Sequence, residues 1–122
     1  MKILIIDDDH RNIFALRTAL KSRGIEASGC QSAIEGLELL NTEMEIDVVL
    51  LDMMMPEFDG FQFLDRLHRP SGRVYPPVIS VTARAMKGDR ERCLLGGASG
   101  YVAKPVDIDE LLEEIRSVIS RK

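Results

Sequence analysis

The chain has 122 residues, 45% hydrophobic and 30% charged, with a net charge of −4. This balance is that of a soluble globular domain, and the length leaves no room for a second domain with a core of its own. It excludes a disordered chain, a basic surface built to neutralise nucleic-acid phosphates, and a membrane helix, which needs about 20 apolar residues in a row. Cys30 and Cys93 stand far apart without a Cys/His cluster, so they read as small buried hydrophobes and not as zinc ligands. The opening MKILIIDDDH is too short and too acidic for a signal sequence, and a cytoplasmic location is the expectation.

In chain order, Ile3 to Ile6 is a continuous apolar run, the mark of a strand buried on both faces. Ile13, Leu16 and Leu20 then share a helical face between about Arg11 and Lys21, closed by Gly24. Asp9, just ahead of that helix, reads as its cap. Ile25 to Ser28 is a weak second strand, and Ala33, Ile34, Leu37 and Leu40 form the next helical stripe. Ile46 to Leu51 is a second strong buried strand. Phe61, Leu64 and Leu67 mark a short helix, followed by the turn-rich HRPSGRVYPP. Val78 to Val81 predicts a fourth strand, Met86 to Leu95 a fourth helix, and Tyr101 to Ala103 a fifth strand. The last helix carries Ile108, Leu111, Leu112, Ile115 and Val118, with Asp107 and Glu110 placed as a capping pair.

Five strand–helix units and no linker or repeat predict one α/β domain over 1–122. The expected architecture is a flavodoxin-like three-layer sandwich around a parallel sheet of order 2-1-3-4-5, with its site outside the carboxyl ends of strands 1 and 3. Those ends are acidic: Asp7, Asp8 and Asp9 after strand 1, and Asp52 after strand 3. Carboxylates brought together in this way need a positive partner, and a hard divalent cation such as Mg2+ suits them. Strand 4 ends in Thr82 and strand 5 leads into Lys104-Pro105, adding a hydroxyl and an ammonium at the same edge. Such a set suits a phosphoryl group.

ILIIDDD, VVLLDMMMPEFDG, VISVTARA and GASGYVAKP occur in order and at matching spacing across essentially the whole chain. In this the sequence resembles the receiver domains of two-component response regulators, the CheY-like family. The resemblance implies Asp52 as phosphoacceptor, and Asp7 and Asp8 as the acidic pair for Mg2+, with Mn2+ as a substitute. It also implies the Met54 backbone carbonyl as a further metal ligand, Thr82 and Lys104 as the switch hydroxyl and phosphate-binding lysine, and Tyr101 as the aromatic that turns inward with Thr82. A cis Lys104-Pro105 bond goes with it. The implied partner is a histidine kinase or histidine phosphotransfer protein, without direct nucleic-acid or membrane contact, acting on a monomer or a weak phosphorylation-dependent dimer. The implied chemistry is self-phosphotransfer with slow autodephosphorylation and no turnover of an external substrate.

Two positions depart from the family's pattern. Met54 and Arg84 stand two residues beyond Asp52 and Thr82, where side chains tune the lifetime of the acyl phosphate. Bulky Met54 is expected to shield it, while Met53 and Met55 read as packing. DDDHRNIFAL and TARAMKGDRERC are nearest in flavour to receivers of hybrid kinases, so the chain reads as a stand-alone regulator or a domain of such a protein. His10 and His68 read as surface residues. A flavin carrier of the same architecture, an aspartate phosphatase and a receiver-like domain that works without phosphorylation are the alternatives. The acidic DDDHRN loop weighs against the first and the full set of site residues against the last.

Overall fold

The structure, a computed structural model, describes residues 1–42, 45–56, 58–69, 74–83 and 87–120. The strands are β1 (Lys2–Ile6), β2 (Glu26–Cys30), β3 (Val48–Asp52), β4 (Val78–Thr82) and β5 (Gly100–Ala103). They alternate with helices α1 (His10–Lys21), α2 (Ala33–Thr42), α3 (Gly60–Leu67), α4 (Asp89–Leu95) and α5 (Ile108–Ser120). The sheet is parallel with order β2-β1-β3-β4-β5, the flavodoxin-like arrangement expected from the alternation.

The aliphatic runs are explained by two cores, one on each side of the sheet. Leu4, Ile6, Val49 and Leu51 face a core completed by Leu40 of α2, Phe63 and Leu64 of α3 and Cys93 of α4. Their neighbours Ile3, Ile5, Val48 and Leu50 face Leu16 and Leu20 of α1 and Leu111 and Ile115 of α5. Because successive strand side chains point to opposite faces, a central strand can be apolar throughout only if both faces are covered.

Several boundaries differ from those expected. β2 runs to Cys30, whose carbonyl accepts the Asp7 amide, because pairing with β1 continues past the weak apolar signal. β3 begins at Val48, although Ile46 is still buried. The described part of α4 begins at Asp89, after Gly88 at φ +88°, and the expected start at Met86 falls outside the described residues. Ile34 does not belong to the buried stripe of α2: it is 58% exposed, whereas Ala33, Gly36 and Leu40 are buried. At 100° per residue Ala33, Gly36 and Leu40 share one face and Ile34 turns away from it.

Both edges of the sheet are partly closed by side chains from the helices. On β2, Arg17 of α1 donates to the Ala27 carbonyl at 3.0 Å. On β5, the Tyr101 amide donates to Glu114 of α5 at 2.8 Å. Such caps use up the groups through which an open edge would pair with another strand. Cys30 and Cys93 are buried free thiols, and burial pushes Cys30 up to about 11, in keeping with their reading as small hydrophobes. His10 and His68 are exposed, and the His68 ring nitrogen Nε2 lies 2.9 Å from the Gly97 carbonyl. Among the described residues no helix is long and apolar enough to cross a membrane.

Candidate functional site

The carboxyl ends of β1 and β3 are neighbours, so the residues that follow them open at one edge of the sheet. Asp7 and Asp52 are buried at 3% and 6% exposure, Asp8 is exposed, and one carboxylate oxygen from each lies within 4.8 Å of the others. Asp9 is turned elsewhere. It caps α1, accepting the Arg11 amide at 2.9 Å.

Each buried carboxylate is oriented by nearby backbone. Asp7 Oδ1 accepts the amide of Asp9 at 2.9 Å, and Asp52 Oδ1 accepts the amide of Met54 at 3.0 Å. The turn after β3 is compact because Gly60 lies against it. A Cβ on Gly60 would come within 2.8 Å of the Met53 Cα, so a side chain there would force the β3–α3 connection apart. Asp59 then opens α3 with a reciprocal pair of hydrogen bonds to Gln62, which settles the EFDG end of the motif. Met53 and Met55 are buried, as read from sequence, whereas Met54 is 53% exposed beside the acid.

Lys104 reaches into the same pocket from the far end of β5. Its ammonium is 3.2 Å from Asp7 Oδ2 and 3.9 Å from Asp52 Oδ1. Its backbone amide donates to the Thr82 carbonyl at 2.8 Å, and its bond to Pro105 is cis. Thr82 is buried at 1% exposure at the end of β4. Tyr101 is half-buried on β5 and donates its hydroxyl to Asp89 of α4 at 2.9 Å. Arg84 lies outside the described residues. The sequence does not single out Asn12, yet its amide lies 3.5 Å from Asp7 Oδ2. It stands in the first turn of α1, and only the folding of that helix over β1 brings it to the acid.

Among the described residues, three carboxylates here face one ammonium. Burial is the main cause that holds the Asp52 carboxyl above the usual carboxylate range. The Met54 amide and Lys104 pull it down, and Asp7 and Asp8 push it further up. A raised native value means that the folded protein keeps this proton to higher pH than the unfolded chain. Stability therefore falls as pH rises through the window that starts near the ordinary value of 3.8. Asp52→Asn is expected to raise the melting temperature of the metal-free protein near neutral pH. The gain should vanish as the solution is acidified well below the ordinary value of 3.8, where the native and unfolded acids are both protonated. Calorimetric melts across that range would show it, and equal melting temperatures at neutral pH would refute it.

The donor set fits a hard divalent cation. All three groups offer the oxygen ligands that Mg2+ takes, and those oxygens lie within 4.8 Å of one another.

Residues 3–116 match the family model of the response regulator receiver domain. The chain is 39% identical over 121 residues to the transcriptional activator protein IrlR of Burkholderia pseudomallei, covering 99% of this chain and 51% of that one. It thus spans about half the length of that relative. It is 33% identical over 117 residues to the polar-differentiation response regulator DivK of Brucella ovis, covering 96% and 94%. Among solved structures, the receiver domain of the Francisella response regulator 1452 superposes with a TM-score of 0.86 at 31% identity, covering 98% and 97%. With five strands in this order and carboxylates gathered at the ends of β1 and β3, the chain belongs to the response regulator receiver domains of two-component signalling.

Proposed function

We propose that Asp52 accepts a phosphoryl group from the phosphohistidine of a histidine kinase or histidine phosphotransfer protein. The observation that carries this reading is the meeting of Asp7, Asp8, Asp52 and Lys104 in one pocket at the strand ends. An Asp52 oxygen attacks phosphorus in line with the imidazole nitrogen. The P–O bond forms as the P–N bond breaks, and its electron pair returns to the nitrogen. Lys104 shifts from the carboxylates to a transferring oxygen, and the Thr82 hydroxyl donates to another. Asp7, Asp8, Asp52 and the Met54 carbonyl would hold Mg2+, or Mn2+ in its place. When bound, the ion neutralises charge that builds on the phosphoryl oxygens.

The product carries about half to one more negative charge than the free carboxylate, by extension from hydroxyl phosphates. Thr82 moves toward the new oxygens, Tyr101 turns into the space beside it, and the face of α4, β5 and α5 repacks as a population shift. The protein turns over no external substrate: it modifies itself and loses the group slowly to water. A cytoplasmic setting goes with this reading. A match spanning 94% of one relative and 51% of another suits either a stand-alone regulator or one domain of a longer protein, a hybrid kinase included.

The test is intact-mass measurement after incubation with acetyl phosphate, with and without Mg2+. Wild type is expected to gain one phosphoryl group only with Mg2+, and Asp52→Asn none. Modification of Asp52→Asn, or modification indifferent to Mg2+, would overturn the assignment.

A further inference from the structure

Tyr101 is held at two points by acids from two different helices. Its amide donates to Glu114 of α5 at 2.8 Å, and that carboxylate lies 3.9 Å from Arg90 of α4. Its hydroxyl donates at 2.9 Å to Asp89, the first residue of α4. Asp89 is 6% exposed, and its other oxygen has Arg92 at 3.9 Å. Turning the ring about its side-chain torsions can leave the Glu114 bond in place but must break the one to Asp89. Burial, then Asp89, pushes the phenol up to about 12, so it stays a neutral donor to a buried carboxylate at ordinary pH.

The sheet register shows why this bond matters. Ser80 stands opposite Tyr101 and Thr82 opposite Ala103, so Tyr101 and Thr82 share one face of the sheet, one side-chain step apart. On the proposed switch, the space beside Thr82 and the Asp89 carboxylate are alternative destinations for the same ring. We propose that Asp89 is a positioning residue that holds Tyr101 against the start of α4 and so opposes the phosphorylated form of the switch. The proposal rests on Asp52 being the phosphoacceptor. Leaving Asp89 strips a buried carboxylate of a hydrogen bond, and that cost falls on the state in which Tyr101 has turned in.

Beryllofluoride with Mg2+ serves as the probe, standing in for the phosphoryl group on Asp52. The chain has no tryptophan and two tyrosines. Tyr75, whose hydroxyl meets exposed Asn41, can be changed to Phe so that emission reports Tyr101 alone. In that background Asp89→Asn is expected to alter Tyr101 emission without any ligand, since a carboxylate-bound phenol emits differently from one bound to an amide. It is also expected to lower the half-saturating beryllofluoride concentration about tenfold, the scale by which a hydrogen bond to a charged group exceeds one to a neutral amide.

Tyr101→Phe removes the same bond from the other side and leaves α4 intact. Followed by its rate of acetyl phosphate modification, it should be faster than wild type. The double variant with Asp89→Asn should be no faster than the better single one. Unchanged beryllofluoride affinity in folded Asp89→Asn, or a double variant whose effects simply add, would overturn the proposal while leaving Asp52 as acceptor. A wild type that binds no beryllofluoride would overturn both.

Discussion

Lys104→Met is expected to slow acetyl phosphate modification about 100-fold or more, the loss typical when one preorganised donor to a transition-state oxygen is removed. Mg2+ binding should survive and become tighter, which distinguishes this variant from a general collapse of the pocket. The ammonium stands 3.2 Å from Asp7 and 3.9 Å from Asp52, so a metal ion entering between the same carboxylates must contend with its positive charge. Met keeps the length and apolar stem of the side chain while removing that charge. Rates follow from intact mass, and Mg2+ affinity from calorimetry. A variant as fast as wild type would remove Lys104 from the chemistry, and weaker Mg2+ binding would contradict the electrostatic account.

The second large effect concerns the reverse direction, loss of the group to water. Met54 is 53% exposed while its amide is fixed to Asp52 Oδ1 at 3.0 Å, which sets an apolar side chain at the rim of the pocket. Met54→Asn is expected to speed dephosphorylation about tenfold. That is less than a general base contributes, because an amide can orient a water but cannot take its proton. The backbone groups are unchanged, so Mg2+ affinity should stay the same. Decay of the acetyl phosphate product after removal of the donor measures the rate, and an unchanged lifetime would leave Met54 as a packing residue like Met53 and Met55.

Much of the frame is legible in the sequence alone. Ile3 to Ile6 and Val48 to Leu51 announce strands covered on both faces because no other structure tolerates aliphatic residues at every position of so short a run. Asp9 announces a cap because the bond it makes reaches only two residues along the chain. The acids after strands 1 and 3 could be placed together from the strand order alone, since parallel strands end at one edge. Ile34 departs from the expected stripe because an aliphatic residue next to a helical stripe fits the pattern loosely, and burial alone separates the two. Asn12 carries no local signal that distinguishes it from any polar residue in a first helical turn.

What the sequence settles, then, is whatever local chemistry and strand order control: five units, their succession, and a ring of acids with one lysine at the sheet edge. Only the tertiary structure decides which oxygen faces which donor. Lys104 meets Asp7 across 97 residues, and Tyr101 meets Asp89 and Glu114 across 12 and 13. Those distances are long enough for many pairings, and the choice among them comes from sheet register and from the helices that the two cores hold against it. Asp52 was visible as an acid ending an apolar run. That its carboxyl is held above the ordinary range follows from burial beside Asp7 and Asp8, with Met54 and Lys104 opposing, and those causes exist only once the strands have paired.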